Sequence, residues 1–112
     1  DTRGAVAALA KARASGDRAA EAWALLALGE AQLAGGAFPK AEETLRTALA
    51  HMALIEDYPG TTRTLVKLGL ARRAAGDEAG AQAFFEEART LDRSLGEPVG
   101  VTDELQRQGL TD

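Results

Sequence analysis

A chain of 112 residues with 46% apolar content has material for one continuous core but not for two independent ones. A net charge of −4 with both signs spread along the chain, and no basic stripe to track a phosphate backbone, argues against nucleic acid as partner. The absence of cysteine excludes disulfides and thiolate metal sites. No apolar run is long enough for a bilayer and no signal-peptide pattern is present, so no membrane association and a cytoplasmic setting are expected. Alanine makes up about a fifth of the chain while aromatics are 4%, a balance that favours close-packed helices over strands. A start at Asp1 rather than at methionine is expected of a piece of a larger protein.

The first helix is expected from Thr2 to Ala14, with Val6 and Leu9 on its apolar face and Lys11 and Arg13 at its C-terminal end. Ser15-Gly16-Asp17 turns the chain into a second helix, Arg18 to Ala34, with Asp17 as N-cap. Leu25, Leu28 and Gln32 hold its inward spacing. Trp23, Leu26, Glu30 and Leu33 lie on a different, still largely apolar face, so this helix has two neighbours. After Gly35-Gly36-Ala37, Pro39 sits in the first turn of a third helix that runs to about Ile55 and buries Ala41, Leu45, Ala48, Leu49 and Met52. Glu56-Asp57-Tyr58-Pro59-Gly60 reads as a break. A fourth helix is expected from Thr62 to Ala75 and a fifth from Glu78 to Leu95, with Ala81, Phe84, Phe85, Ala88 and Leu91 apolar-facing. Leu95-Gly96-Glu97-Pro98 is a turn, and a sixth helix carries Thr102, Leu105, Gly109 and Leu110.

These elements repeat at forty residues. Leu28-Gly29 returns as Leu68-Gly69, Gly36 as Gly76, Ala41 as Ala81, Leu45 as Phe85, and Ala48 as Ala88. Gly29 and Gly69 remove the side chain where one helix meets the next, and the alanines keep the facing surface thin. Small and large apolar residues at this spacing resemble the tetratricopeptide repeat, a helix–turn–helix unit that binds other proteins. The resemblance implies an all-α fold of about six helices, antiparallel pairs stacked as a right-handed α-solenoid. One domain over 1–112 would divide into a half repeat (1–15), two repeats (16–55 and 56–95) and a half repeat or cap (96–112). Gln108 stands where the repeats have Leu28 and Leu68, which suits a solvent-facing cap and equally a cut through a longer array. A forty-residue step, longer than the usual thirty-four, is similar to the helical sensor regions of large bacterial transcriptional regulators and to some motor-protein light chains. Two departures stand out. Leu25 and Leu65 fill a site where the family often has a large aromatic, and Gln32 and Arg72 stand at another, so packing should be softer there.

Catalytic chemistry has no support. His51 is the only histidine, and no metal site or nucleophile pair can be assembled around it. Glu42-Glu43 and Glu86-Glu87 read as solvated charge, and no Gly-Lys-Ser/Thr follows any glycine. No enzyme activity and no cofactor are expected. The resemblance implies a concave groove lined by the first helices of successive units. Its partner-contacting positions carry over to Trp23, Leu26, Glu30 and Leu33, then to Arg63, Val66, Leu70 and Arg73, and in the third unit to Asp103, Gln106 and Leu110. The version of this groove that clamps a terminal carboxylate has lysine and asparagine where Leu26 and Glu30 stand, which argues against that ligand. The resemblance instead implies a protein or peptide partner, an amphipathic helix or an apolar segment with an acidic flank, in a scaffold or regulator. Trp23 is its natural anchor, with packing against the first helix as the alternative. Self-association into a homo-oligomer through the unpaired first and sixth helices is the alternative function.

Overall fold

The computed structural model describes residues 1–110 and places six helices in a row: α1 (Arg3–Ser15), α2 (Arg18–Ala34), α3 (Phe38–Leu54), α4 (Tyr58–Ala74), α5 (Glu78–Ser94) and α6 (Val101–Arg107). The four central helices are 17 residues long, and three residues separate each from the next. Every connection from α1 to α6 contains a residue of left-handed backbone at a twenty-residue interval: Gly16 (φ 71°), Gly36 (82°), Glu56 (57°), Gly76 (87°) and Gly96 (85°). Through all five of these the chain bends back so that an amide just beyond the helix reaches a carbonyl in its last turn, as Asp57 N does to Met52 O and Asp77 N to Arg72 O. At three of them the next residue is an aspartate that caps the following helix. Asp17, Asp57 and Asp77 accept the backbone N–H of Ala20, Gly60 and Gly80 at 3.0, 2.8 and 2.8 Å. At Asp77 the Gly80 amide, with Arg72 alongside, holds the carboxyl below its usual range. That cap is complete above the ordinary carboxylate pKa and is lost as the pH falls through the depressed value.

Two expectations are corrected. α4 begins at Tyr58 rather than Thr62: Pro59 lies in its first turn, where a missing N–H leaves no helical bond unmade, and Asp57 supplies the cap. The sixth helix is only seven residues long, because Gly109 (φ 69°) lies beyond its end in a left-handed turn instead of repeating the helical role of Gly69.

Each helix packs on its sequence neighbours, α2 between α1 and α3 and α4 between α3 and α5, while α2 touches α4 and α4 touches α6 only lightly. The result is a helical-repeat solenoid. Contact within a pair is very close. A Cβ on Gly29 would lie 2.5 Å from Leu45 Cδ2, and one on Gly69 would come nearer still to the Phe85 ring. Ala41, Ala48, Ala81 and Ala88 are wholly buried opposite them. Two apolar clusters form along the stack, one around Leu25, Leu45, Met52 and Leu68 and one around Leu65, Phe85, Val101 and Leu105. Leu49 and Phe84 touch both.

Gly69→Ala should lower stability by about 1–3 kcal/mol, because the enclosed Phe85 ring has nowhere to go. Glu56→Gly should raise it by roughly 1 kcal/mol by removing the Cβ strain of a left-handed residue. Urea unfolding of the two variants beside the wild type reads both signs together.

Candidate protein-binding surface

α2 and α4 present a shared face on which the α2 and α4 side chains hold one another. The Trp23 ring is 40% exposed, yet its indole N–H donates to Asp57 Oδ2 at 2.9 Å. The other oxygen of Asp57 is the acceptor that caps α4, so one carboxylate joins the start of α4 to the side of α2. The Arg63 guanidinium stands over the Trp23 ring, 6.0 Å from its centroid. Arg63 also reaches Glu30 Oε2 at 3.2 Å, and Lys67 Nζ lies 3.5 Å from that same oxygen. Asp57 and Lys67 were not among the residues expected here. Lys67 was findable, since it stands four residues after Arg63 and therefore on the same helix face. Asp57 was hidden in a stretch read as a break.

The remaining expected residues divide by burial. Leu26 is 1% exposed and sits inside the first apolar cluster, so it supports the face from behind. Val66 is also buried, in the second cluster. Leu33 and Leu70 are partly buried against the two clusters and keep an open edge. Arg73 turns toward the next helix and lies 3.5 Å from Glu78 Oε1. In the third unit Asp103 and Gln106 are exposed, whereas Leu110 is buried. At the two positions where softer packing is expected, the side-chain amide oxygen of Gln32 is buried without a hydrogen-bond partner, whereas Arg72 reaches Glu42 at 2.9 Å and Asp77 at 3.0 Å. On α3, His51 lies 3.4 Å from Glu21, with its other ring nitrogen 2.9 Å from the Thr47 carbonyl.

Between α4 and α6 the face opens into a cleft of about 270 Å³ lined by Arg63, Val66, Lys67, Val99, Val101, Glu104 and Gln108. Its far wall depends on Asp92, which is 2% exposed and accepts the backbone N–H groups of Val99 and Val101 at 2.9 and 2.8 Å. Forty residues earlier the position is Met52, whose sulfur lies against Gly60 in the first turn of α4. A carboxylate in place of that thioether captures loop amides instead of packing on a helix, and α6 accordingly starts three residues late for the repeat. On the same α6 wall, hydrogen bonds from Arg107 and Gln108 hold the Glu104 carboxyl below the usual range, with a smaller attraction from Lys67 across the cleft.

Among the described residues no group of three or more His, Asp or Glu is placed to hold a metal ion, and no helix is long and apolar enough to cross a membrane. The profile of the tetratricopeptide repeat family matches residues 36–94, which is more than half of the chain. The chain belongs to the tetratricopeptide repeat family. Comparison with curated proteins and with solved structures returned no match. The tetratricopeptide repeat match runs from the turn before α3 to the end of α5 and so leaves Trp23, Glu30 and the α6 wall outside it.

Asp92→Ala should strip the acceptors from the Val99 and Val101 amides. Hydrogen exchange should then show lost protection across α6 with α2 to α5 little changed, and unaltered protection in α6 would mean that its apolar contacts alone hold it.

Proposed function

We propose that this tetratricopeptide repeat domain is a non-catalytic module that binds a peptide or helix of a partner protein along the face shared by α2 and α4. The observation that carries this reading is Trp23: the only tryptophan is held by Asp57 with 40% of its surface left open, instead of being spent in the core. A large ring fixed in advance offers contact area with little entropy left to lose. Leu33 and Leu70, further along the two helices, keep apolar edges open, and Arg63 and Lys67, two cations that share the single carboxylate of Glu30, suit a segment with an acidic flank. Leu26 and Val66 act as the backing of this surface.

Because Trp23 is the sole tryptophan, its emission reports directly on the surface. Partner capture from a lysate should be strong for the wild type and lost for Trp23→Ala/Leu33→Ala, with helicity retained by circular dichroism. The captured partner should also shift the wild-type emission to the blue. Equal capture by the two proteins would remove this face as the binding site.

Self-association is the second reading, favoured by α1, which packs on α2 alone and leaves Val6 50% exposed. Sedimentation should then show mass rising with concentration in the wild type and less so in Val6→Glu. A single monomeric mass throughout would dismiss it.

A further inference from the structure

The ion pairs between α2 and α4 are unevenly matched. One oxygen of Glu30 serves two cations, Arg63 at 3.2 Å and Lys67 at 3.5 Å, while Glu104, the carboxylate in the lining of the adjacent cleft, is held by Arg107 and Gln108 and feels Lys67 only weakly. All three side chains of the cluster remain partly open to water, and Arg63 is about half exposed. Exposed pairs of this kind contribute little to stability, so exchanging one carboxylate for another disturbs the fold little. We infer that Glu30 is the chain's own occupant of an anion seat formed by Arg63 and Lys67, and that an acidic side chain of the partner peptide takes that seat in competition with it.

The inference rests on the proposed binding face and adds the chemistry of its ligand. Arg63 can keep its place over Trp23 and still present a second edge of its planar guanidinium to an incoming carboxylate. Both cations also line the α4–α6 cleft, whose other surfaces include the side chains of Val66, Val99 and Val101. Positive charge at the rim and branched apolar side chains beside it select one occupant: a peptide segment with an Asp or Glu next to a small apolar residue. Glu30, once displaced, returns to water on the α2 side. Its role as competitor has an unusual signature, since removing its charge should strengthen binding, whereas removing an ordinary contact weakens it.

The test uses peptides selected from a random displayed library against the wild-type protein. Their affinities are then measured for the wild type, Glu30→Gln and Arg63→Gln/Lys67→Gln, each checked for unchanged helicity. Selected peptides should carry Asp or Glu, and converting that residue to Asn or Gln should weaken binding about tenfold. Glu30→Gln should tighten binding severalfold, Arg63→Gln/Lys67→Gln should weaken it about tenfold and flatten its salt dependence, and amide shifts should include Val66, Val99 and Val101. Peptides without an acidic preference, with shifts confined to Trp23, Leu33 and Leu70, would overturn the seat and leave the binding face standing. Weaker or unchanged binding by Glu30→Gln would also overturn it. Selection of no peptide, or a footprint elsewhere on the chain, would overturn both. Free glutamate that saturates the cleft as tightly as the peptides do would mark a small-anion site and overturn the peptide assignment.

Discussion

The approach of Gly29 to Leu45 and of Gly69 to Phe85 sets the spacing on which everything else in the molecule depends. A single methyl group at either glycine would collide with its partner, so the two helices of a pair meet at a separation that only glycine and alanine can sustain. Leu45 and Phe85 fill the space over the two glycines, and the long polar side chains stand on the open side of α2 and α4. Trp23, Glu30, Arg63 and Lys67 stand there. That surface is organised by what those side chains do to each other.

What they do is pair across the gap between α2 and α4, which touch only lightly through their backbones. Asp57 is the economical part of this arrangement, because its two oxygens serve different helices. Glu30 plays the corresponding role for charge, drawing two cations of α4 toward α2. A face assembled this way has its side chains held in place by one another, which would reduce the cost of ordering them in the proposed binding.

The forty-residue repeat, the family and the helix pairs were legible in the sequence because small residues at close contacts leave a periodic trace that survives changes such as Leu45 to Phe85. The turns were legible where glycine marked them. The start of α4 was not, since Pro59 reads as a breaker unless Asp57 is recognised as the cap that makes the first turn possible. α6 was misjudged for a different reason: its start and length depend on Asp92, a residue of α5 whose role is visible only once the loop folds back over it. On the proposed binding face, helical spacing put Trp23, Glu30 and Arg63 on one surface, where the structure places Arg63 against both of the others. The same spacing took Leu26 for a surface residue, because a helix with two neighbours buries more of its circumference than a single apolar stripe declares. The cleft left no sequence signal, as its walls come from two stretches of chain more than thirty residues apart.

The uneven cross-linking of the array has a mechanical consequence. α2 and α4 are joined by the Trp23 to Asp57 hydrogen bond and by the ion pairs at Glu30. Among the described residues no hydrogen bond or ion pair joins α4 to α6, which meet through apolar contact and the weaker attraction between Lys67 and Glu104. Directional bonds resist shear and twist, whereas apolar contacts slide with small changes in energy. The solenoid is thus cross-linked by side chains between α2 and α4, whereas α6 is tethered to α5 through Asp92 and only rests on α4, so movement of α6 against α4 at the cleft is limited by that tether.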